Sequence, residues 1–224
     1  MLNHFKGMCQ LKSILTLLSL LFLAACTSDS IPEKTEPVGK SIFNGKNLDG
    51  WKISNFGGEG EVTVKAGEVF LDYGNPMTGL TYTGKTPKIN YEVELEAMKV
   101  DGNDFFVGLT VPYNDTHLSL ILGGWGGVTC GISSFNYSDA SENDTTFVKM
   151  FHKKRWYRVK LQLMKSRIRV YVDGQKLVDK EIDGQKIHTR PEIDPSKPFG
   201  ISAFETQAKY KNIVIREIKD IPFE

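Results

Sequence analysis

The feature that most constrains this chain is an alternation of apolar and polar side chains that runs through residues 89–97 of a predicted strand at 89–100. The run reads INYEVELEAMKV, with apolar residues at every odd position from 91 to 97 and glutamates between them. A repeat of two residues is typical of a β-strand that buries one face and exposes the other. The same rhythm returns in 156–163 and 167–172. These runs predict an antiparallel sheet with one face packed on a core.

Short strands and tight turns fill the rest of the chain after residue 40. Ala66-Gly67 and Asp173-Gly174 each separate two alternating runs, which indicates two hairpins. We interpret 184–198 as a loop because it contains three prolines. The apolar spacing of an amphipathic helix is not evident, so the sequence predicts an all-β fold, a sandwich or a jelly roll.

A further pair of strands is predicted at 104–111 and 117–122, followed by Gly-Gly-Trp-Gly-Gly at 123–127. Four glycines let the backbone approach a ligand or another strand closely. If Trp125 is exposed, its ring can hold the C–H face of a sugar while nearby polar groups bind the hydroxyls. The alternative is that Trp125 belongs to the core and the glycines form a bulge.

The N-terminus predicts export and lipidation. Residues 1–25 combine the cations Lys6 and Lys12 with an apolar stretch too short to span a bilayer as a mature helix. The stretch ends in Leu-Ala-Ala-Cys, which is similar to a bacterial lipobox and predicts cleavage before Cys26 and lipidation of its thiol. The alternative is an ordinary secretory peptide with Cys26 incidental. Lipid on Cys26 predicts an anchored protein of the bacterial cell envelope.

Polar residues without apolar periodicity fill 26–40, which predicts a flexible tether from Cys26 to one domain at 41–219. Without Lys6 and Lys12 the 28 cationic residues fall to 26, against 27 acidic ones. A near-neutral chain gives no indication of nucleic-acid binding, which needs a basic face. The membrane is therefore expected as a partner only through the lipid.

The run SIFNGKNLDGW at 41–51 resembles the opening of the 3-keto-disaccharide hydrolase-like family. Weaker agreements follow at 155–157, 172–175 and 211–217. The resemblance implies a concanavalin A-like jelly-roll sandwich of two antiparallel sheets, with a concave face available for sugars. It also implies cleavage of glycosides whose sugar is oxidised at C3. Family members commonly carry an acidic segment where 118–134 has none, so we interpret the chain as a divergent sub-branch with its own site.

Two chemical routes could cleave such a bond. One needs two carboxyl groups on either side of it. The other needs one base for the acidic proton beside the ketone and a donor or cation for the oxyanion. We predict Asp104 or Glu142 as the acid/base residue and Arg190 as the charge stabiliser. The substrate-binding residues are predicted to be Trp125, Asn103, Asn143 and Glu192.

Each predicted residue also has a purely structural interpretation. Asp104 could cap a strand turn, Glu142 could be a solvated loop residue, and Arg190 could pair with Glu192 on the surface. The Glu-x-Glu-x-Glu pattern at 92–96 is similar to the catalytic strand of laminarinase-type glucanases, but it also fits the polar face of a half-buried strand. The histidines have no zinc spacing, so neither a metal nor another cofactor is predicted.

Three function classes remain open from the sequence. The first is a glycosidic-bond hydrolase acting on a carbohydrate such as a 3-keto-glycoside. The second is a non-catalytic carbohydrate-binding lipoprotein, which Trp125 and its glycines favour. The third is an interaction module that uses the same fold for protein contacts, since fold alone does not decide function.

Overall fold

The computed structural model describes residues 39–220 and arranges them in two antiparallel β-sheets around a shared apolar core. The predicted signal peptide, Cys26 and most of the tether lie outside the described residues. Within the described part, none of the helical segments has the length and apolar character needed to cross a membrane.

The strands in chain order are β1 (Lys40–Ser41), β2 (Trp51–Ile53), β3 (Val62–Lys65), β4 (Glu68–Leu71), β5 (Met77–Tyr82), β6 (Tyr91–Gly102), β7 (Val107–Tyr113), β8 (Thr116–Gly124), β9 (Thr129–Ser133), β10 (Phe147–Val148), β11 (Trp156–Leu163), β12 (Arg167–Val172), β13 (Gln175–Glu181), β14 (Gly200–Phe204) and β15 (Thr206–Glu217). One sheet has the order β13-β12-β11-β6-β15-β4-β3, with β1 also paired to β15. The other has the order β10-β9-β8-β7-β14-β5-β2. A 3-10 helix spans Pro191–Ser196. The prediction of an all-β fold with two antiparallel sheets is confirmed.

The alternating run at 89–100 forms β6 in the middle of the eight-stranded sheet. Its odd positions from Tyr91 to Ala97 are fully buried, and they face the core. The predicted hairpins are also confirmed. Ala66 and Asp173 have φ values of 53° and 51°, and the glycine after each is also left-handed, as the tight two-residue turns require.

Two buried tyrosines join the sheets across the core. The Tyr91 hydroxyl on β6 donates to the carbonyl of Pro112 on β7 at 2.5 Å. The Tyr210 hydroxyl on β15 donates to the carbonyl of Phe106 at 2.6 Å. Burial raises the pKa of both phenols, so they stay neutral donors. These bonds use the only polar atom of each side chain within an otherwise apolar layer.

The outer face of the seven-stranded sheet is a floor of small side chains. Gly108 on β7 and Ser202 on β14 lie opposite each other, and a Cβ at Gly108 would be 2.7 Å from the Ser202 hydroxyl. The 3-10 helix covers one end of this face, where the Thr81 hydroxyl donates to the Pro195 carbonyl at 2.7 Å. Larger side chains and loops therefore rest on this face and enclose the space described next.

Candidate functional site

A cavity of about 280 Å³ lies on the outer face of the seven-stranded sheet. Its floor is formed by Ser119 and Ile121 of β8 and Ser133 of β9, all of which are buried. The residues around this floor come from the β8–β9 hairpin, the segment before β7, the loop before β14 and the strands β5 and β14. The cavity brings together residues that lie far apart in the chain, which is the usual organisation of a ligand site.

Asp104 stands at one side of the cavity, just before β7. Its carboxylate accepts hydrogen bonds from the backbone N–H of Phe105 at 2.7 Å and of Gly126 at 3.4 Å. Its own backbone N–H donates to the Thr206 hydroxyl at 3.1 Å. Because these bonds hold the backbone in a turn, β7 begins at Val107 instead of at 104 as the sequence pattern predicts.

Trp125 lies in the glycine-rich loop that Asp104 contacts through Gly126. The indole lines the cavity and is 44 % exposed, so it is not part of the core. Its backbone has a φ of 48°, a left-handed conformation that is uncommon for a tryptophan. The hairpin therefore presents a large, partly exposed flat ring to the cavity.

Arg190 stands at another part of the rim, at the N-terminus of the 3-10 helix. Its guanidinium donates to Asp139 at 2.8 Å and to Glu192 at 3.0 Å. These bonds hold the pKa of Arg190 above its usual value and the pKa of Glu192 below, chiefly through the hydrogen bond between the two side chains. A guanidinium has five N–H donors, and these contacts use two of them.

Asp139 is not among the site residues predicted from the sequence. Its Oδ1 accepts from the hydroxyls of Ser133 and Ser134 at 2.9 and 3.0 Å, and its Oδ2 accepts from Arg190. The carboxylate therefore links the cavity floor to the arginine at the rim. Its spacing from Arg190 in the sequence carries no periodic signal, so only the folded structure reveals the connection.

Of the predicted site residues, Asp104, Trp125, Arg190 and Glu192 line the cavity. Glu142, Asn103 and Asn143 do not. Glu142 and Asn103 are exposed on their loops. The Asn143 amide donates to three backbone carbonyls and its oxygen accepts from the N–H and hydroxyl of Thr145, so this side chain organises its own loop.

The remaining walls of the cavity are apolar. Phe105 and Phe204 pack with ring centroids 5.7 Å apart, and Met77 is the β-sheet partner of Phe204 on β5. Ile193 of the 3-10 helix completes this lining. These apolar residues were not predicted from the sequence, although Phe105 follows directly on Asp104.

The glutamates of the 92–96 pattern lie on the outer face of the other sheet. Glu92 is buried between Arg216, which donates to it at 3.0 Å, and Gln162, which donates at 2.8 Å. Glu94 pairs with Arg158 at 2.9 Å. These carboxylates form an ion-pair network away from the cavity, and the structure does not bring them to the predicted site.

Metal binding and catalysis by a thiolate find no support in residues 39–220. This part of the chain contains no cluster of three or more histidine, cysteine or acidic side chains that could bind a metal ion. Burial raises the pKa of the Cys130 thiol to about 11, so it is protonated at neutral pH. The site therefore offers carboxylates, a guanidinium and an indole as its functional groups.

Comparisons with known proteins agree with this architecture. The model of the 3-keto-alpha-glucoside-1,2-lyase-like domain matches residues 39–216. A search of curated protein sequences found no match.

Several solved structures share the fold at low sequence identity. The carbohydrate-binding module CBM66 from Bacillus subtilis is 12% identical with a TM-score of 0.53, covering 76% of this chain and 97% of its own. A B. subtilis protein with a galectin-like fold is 9% identical with a TM-score of 0.57, covering 82% and 100%. A Flavobacterium laminarinase is 13% identical with a TM-score of 0.52, covering 81% and 100%. These similarities confirm the predicted jelly-roll sandwich.

Proposed function

The chain belongs to the 3-keto-alpha-glucoside-1,2-lyase-like domain family, as its opening motif predicts, and we propose that it cleaves the glycosidic bond of a 3-keto-glycoside in the cavity described above. The observation that carries this proposal is that Asp104 and Arg190, one anionic and one cationic, line the same cavity as an exposed indole. Elimination beside a ketone needs a base and a stabiliser of negative charge, and these side chains supply both.

The reaction follows from the acidity of the ketosugar. A base removes the proton on C2, which lies beside the C3 ketone, and the electron pair moves to the ketone oxygen as an enolate. The enolate reforms the ketone as the C1–O bond breaks, which leaves a C1=C2 double bond and a leaving alkoxide that takes up a proton. Addition of water across the double bond then gives the free 3-keto sugar, so the net change is hydrolysis.

Asp104 is the base in this proposal. Two backbone N–H groups hold its carboxylate in a fixed position, and the carboxylate remains accessible because it lines the cavity. Arg190 binds the enolate oxygen with donors that Asp139 and Glu192 do not use. Trp125 packs against the C–H face of the sugar ring.

Carbohydrate binding without catalysis is the second candidate function. It is favoured by the exposed indole and by the two backbone hydrogen bonds that already engage the carboxylate oxygens of Asp104. In that case Asp104 and Arg190 accept and donate hydrogen bonds to sugar hydroxyls and no bond is broken.

The test is turnover of 3-keto disaccharides and of their unoxidised parents by the full chain in detergent, followed by chromatography. We expect cleavage of the keto sugars alone, with kcat lowered by about 10²-fold or more in Asp104→Asn. Asp115→Asn is the matched control, because Asp115 is fully exposed and pairs with Lys88 outside the cavity. Absence of turnover, together with saturable sugar binding that Trp125→Ala abolishes, would refute the enzymatic function and support a sugar-binding protein.

We also propose that the protein is exported and anchored to a membrane of the bacterial cell envelope through lipid on Cys26. The support is the Leu-Ala-Ala-Cys sequence after an apolar stretch. Mass spectrometry of the N-terminal peptide should find a diacylglyceryl group on Cys26, and Cys26→Ser should release the protein from membranes. An unmodified Cys26 within an intact N-terminus would refute the anchor.

A further inference from the structure

We propose that the preferred substrate is a 3-keto-glycoside with an apolar aglycone, such as a benzyl or other hydrophobic alcohol, over a 3-keto disaccharide. This inference rests on the function proposed above and specifies the leaving group of the same site. It follows from the composition of the cavity walls, from the state of the floor hydroxyls and from the size of the space.

The wall formed by Phe105, Phe204 and Met77 is continuous and apolar. The two rings pack at a centroid distance of 5.7 Å, and Met77 is adjacent to Phe204 across the β5–β14 pair. Ile193 adds another apolar side chain to the lining. Apolar surface of this kind gains free energy only when it displaces water from another apolar surface.

The polar atoms of the floor are already hydrogen-bonded within the protein. The Ser133 hydroxyl donates to Asp139 at 2.9 Å. The hydroxyls of Ser119 and Thr110 share a bond of 2.9 Å. Most of the capacity to bind sugar hydroxyls therefore lies with Asp104, the Arg190–Glu192 pair and the Trp125 indole, which is sufficient for one ring.

A second sugar would leave its hydroxyls against the apolar wall. Each buried hydroxyl without a partner loses its hydrogen bonds to water and gains none, whereas an aromatic or aliphatic group in the same place gains free energy from burial. The cavity of about 280 Å³ compares with the cavity of about 150 Å³ that accommodates benzene in an engineered protein. The space therefore admits an apolar ring beside a sugar.

The backbone geometry maintains this apolar wall. A Cβ at Gly108 would lie 2.8 Å from the Phe105 ring, so the ring rests directly on the glycine. This contact holds the ring against the sheet and opens the space above it. The glycine is the feature of β7 that makes room for a hydrophobic group in the cavity.

The experiment compares three 3-keto-glucosides with the same sugar and different aglycones: methyl, benzyl and glucosyl. A sugar hydroxyl is more acidic than benzyl alcohol and is the better leaving group, so a preference for the benzyl compound reports the aglycone contacts. With the full chain we expect kcat/KM for the benzyl compound to exceed that for the glucosyl compound by about tenfold or more. Phe204→Ser should reduce this preference to near unity, chiefly through KM.

Phe56→Ser is the matched control. Phe56 also packs on a glycine of the same sheet face, with its ring 3.0 Å from the Cβ position of Gly79, but it does not line the cavity. It should therefore keep the benzyl preference. If Phe204→Ser does not fold, inhibition of the wild-type protein by unoxidised benzyl glucoside against unoxidised methyl glucoside tests the apolar subsite without a variant.

The outcomes separate the two proposals. Equal or faster turnover of the glucosyl compound overturns the apolar aglycone and leaves the proposed function intact. Absence of turnover for all three compounds overturns the proposed function. In that case tighter binding of benzyl glucoside than of cellobiose, measured by calorimetry, supports an apolar subsite, and equal or weaker binding overturns it.

Discussion

Arg190 and Asp139 form an ion pair of 2.8 Å between Nη1 and Oδ2, although they are 51 residues apart in the chain. Asp139 also accepts hydrogen bonds from Ser133 and Ser134 at the end of β9. The pair therefore fixes the loop before β14 against the loop after β9. Because the guanidinium is planar, a fixed contact on one edge determines which way its other donors point.

The first prediction concerns this guanidinium. In the proposed reaction, Arg190→Met should lower kcat/KM by about 10²-fold, since a donor to the developing oxyanion is lost. The unfolding free energy should change by less than about 1 kcal/mol, because the pair is half-exposed. Kinetics on a 3-keto-glycoside and urea denaturation measure the two effects.

Lys197→Met provides the matched control for Arg190. It removes a cation that pairs with Asp194 at 2.7 Å at the other end of the same 3-10 helix, outside the cavity lining. Asp139→Asn should produce an intermediate loss, because the arginine stays but is less firmly oriented. Equal activity of Arg190→Met and Lys197→Met would exclude Arg190 from the reaction.

The second prediction concerns Gly108 on the cavity floor. An alanine here would place its Cβ 2.7 Å from the Ser202 hydroxyl and 2.8 Å from the Phe105 ring. The ring must then move into the cavity, so Gly108→Ala should raise KM about tenfold and destabilise the fold by about 1–3 kcal/mol. Steady-state kinetics measure the change in KM, and urea denaturation measures the change in the free energy of unfolding.

A second substitution separates the two contacts of Gly108. Ser202→Ala removes the hydroxyl but leaves the Phe105 ring in place. In the Gly108→Ala, Ser202→Ala double variant part of the stability should return while KM stays high. If KM returns to the wild-type value with the stability, the effect of Gly108 is general packing and Phe105 does not control the cavity.

The sequence predicts the strands of one sheet better than those of the other, for a physical reason. β6 and β11 have one face on the core and one on solvent, so their polarity alternates. β5 is buried at all six positions, because the cavity walls and the 3-10 helix cover its outer face. A strand covered on both sides loses the period of two, which is why Met77 was not recognised as a wall residue.

The same reasoning explains which parts of the site could be predicted. Asp104, Trp125 and Arg190 carry the chemical groups that the predicted reaction requires, so they could be selected from the sequence. The contact of Asp139 with Arg190 and the pairing of Phe105 with Phe204 depend on long-range packing. No local pattern encodes such contacts, and a single sequence does not contain the information to place them.

The third prediction separates the two sheet faces. Glu92 is 3% exposed and contacts Arg216, Gln162 and Lys160, the last at 3.4 Å. Glu92→Gln removes the buried negative charge that neutralises Arg216 and Lys160. It should therefore destabilise the fold by about 1–3 kcal/mol. The activity per folded molecule should not change, because the network lies away from the cavity.

Glu96→Gln is the control for Glu92, on the same strand and face but half-exposed, with Lys211 at 3.6 Å. Its effect on the unfolding free energy should stay below about 1 kcal/mol. Thermal and urea denaturation together with kcat/KM distinguish the two variants. A loss of kcat in folded Glu92→Gln would instead support the laminarinase-like interpretation of this strand.

The fourth prediction concerns Lys99, a cation in a position of β6 that faces the core. Lys99 lies two residues after Ala97, at the next odd position of β6, and is only 4% exposed. A Cβ at Gly127 would be 3.2 Å from its amine, so it lies beneath the loop that carries Trp125. Burial lowers the pKa of Lys99 from 10.5, and the charge of Asp104 opposes this shift.

The pH dependence follows from the direction of this shift. Below the folded-state pKa, Lys99 is charged in both states and its burial destabilises the fold. Between the folded-state pKa and 10.5 the unfolded state binds more protons, so the contribution of Lys99 to stability improves as pH rises. Lys99→Met, which keeps the shape without the charge, should therefore be more stable than wild type at pH 7, by about 1–3 kcal/mol.

Urea denaturation of both proteins from pH 7 to pH 10 measures this difference. The advantage of Lys99→Met should shrink as pH rises, and the comparison cancels alkaline effects that both proteins share, such as ionisation of Cys130. Lys46→Met, at an exposed position, should show no such trend. A difference that does not vary with pH would mean that Lys99 stays charged in the folded state over this range, so that burial does not lower its pKa. Greater stability of Lys99→Met combined with weaker sugar binding would show that the buried charge serves the Trp125 loop at the expense of stability.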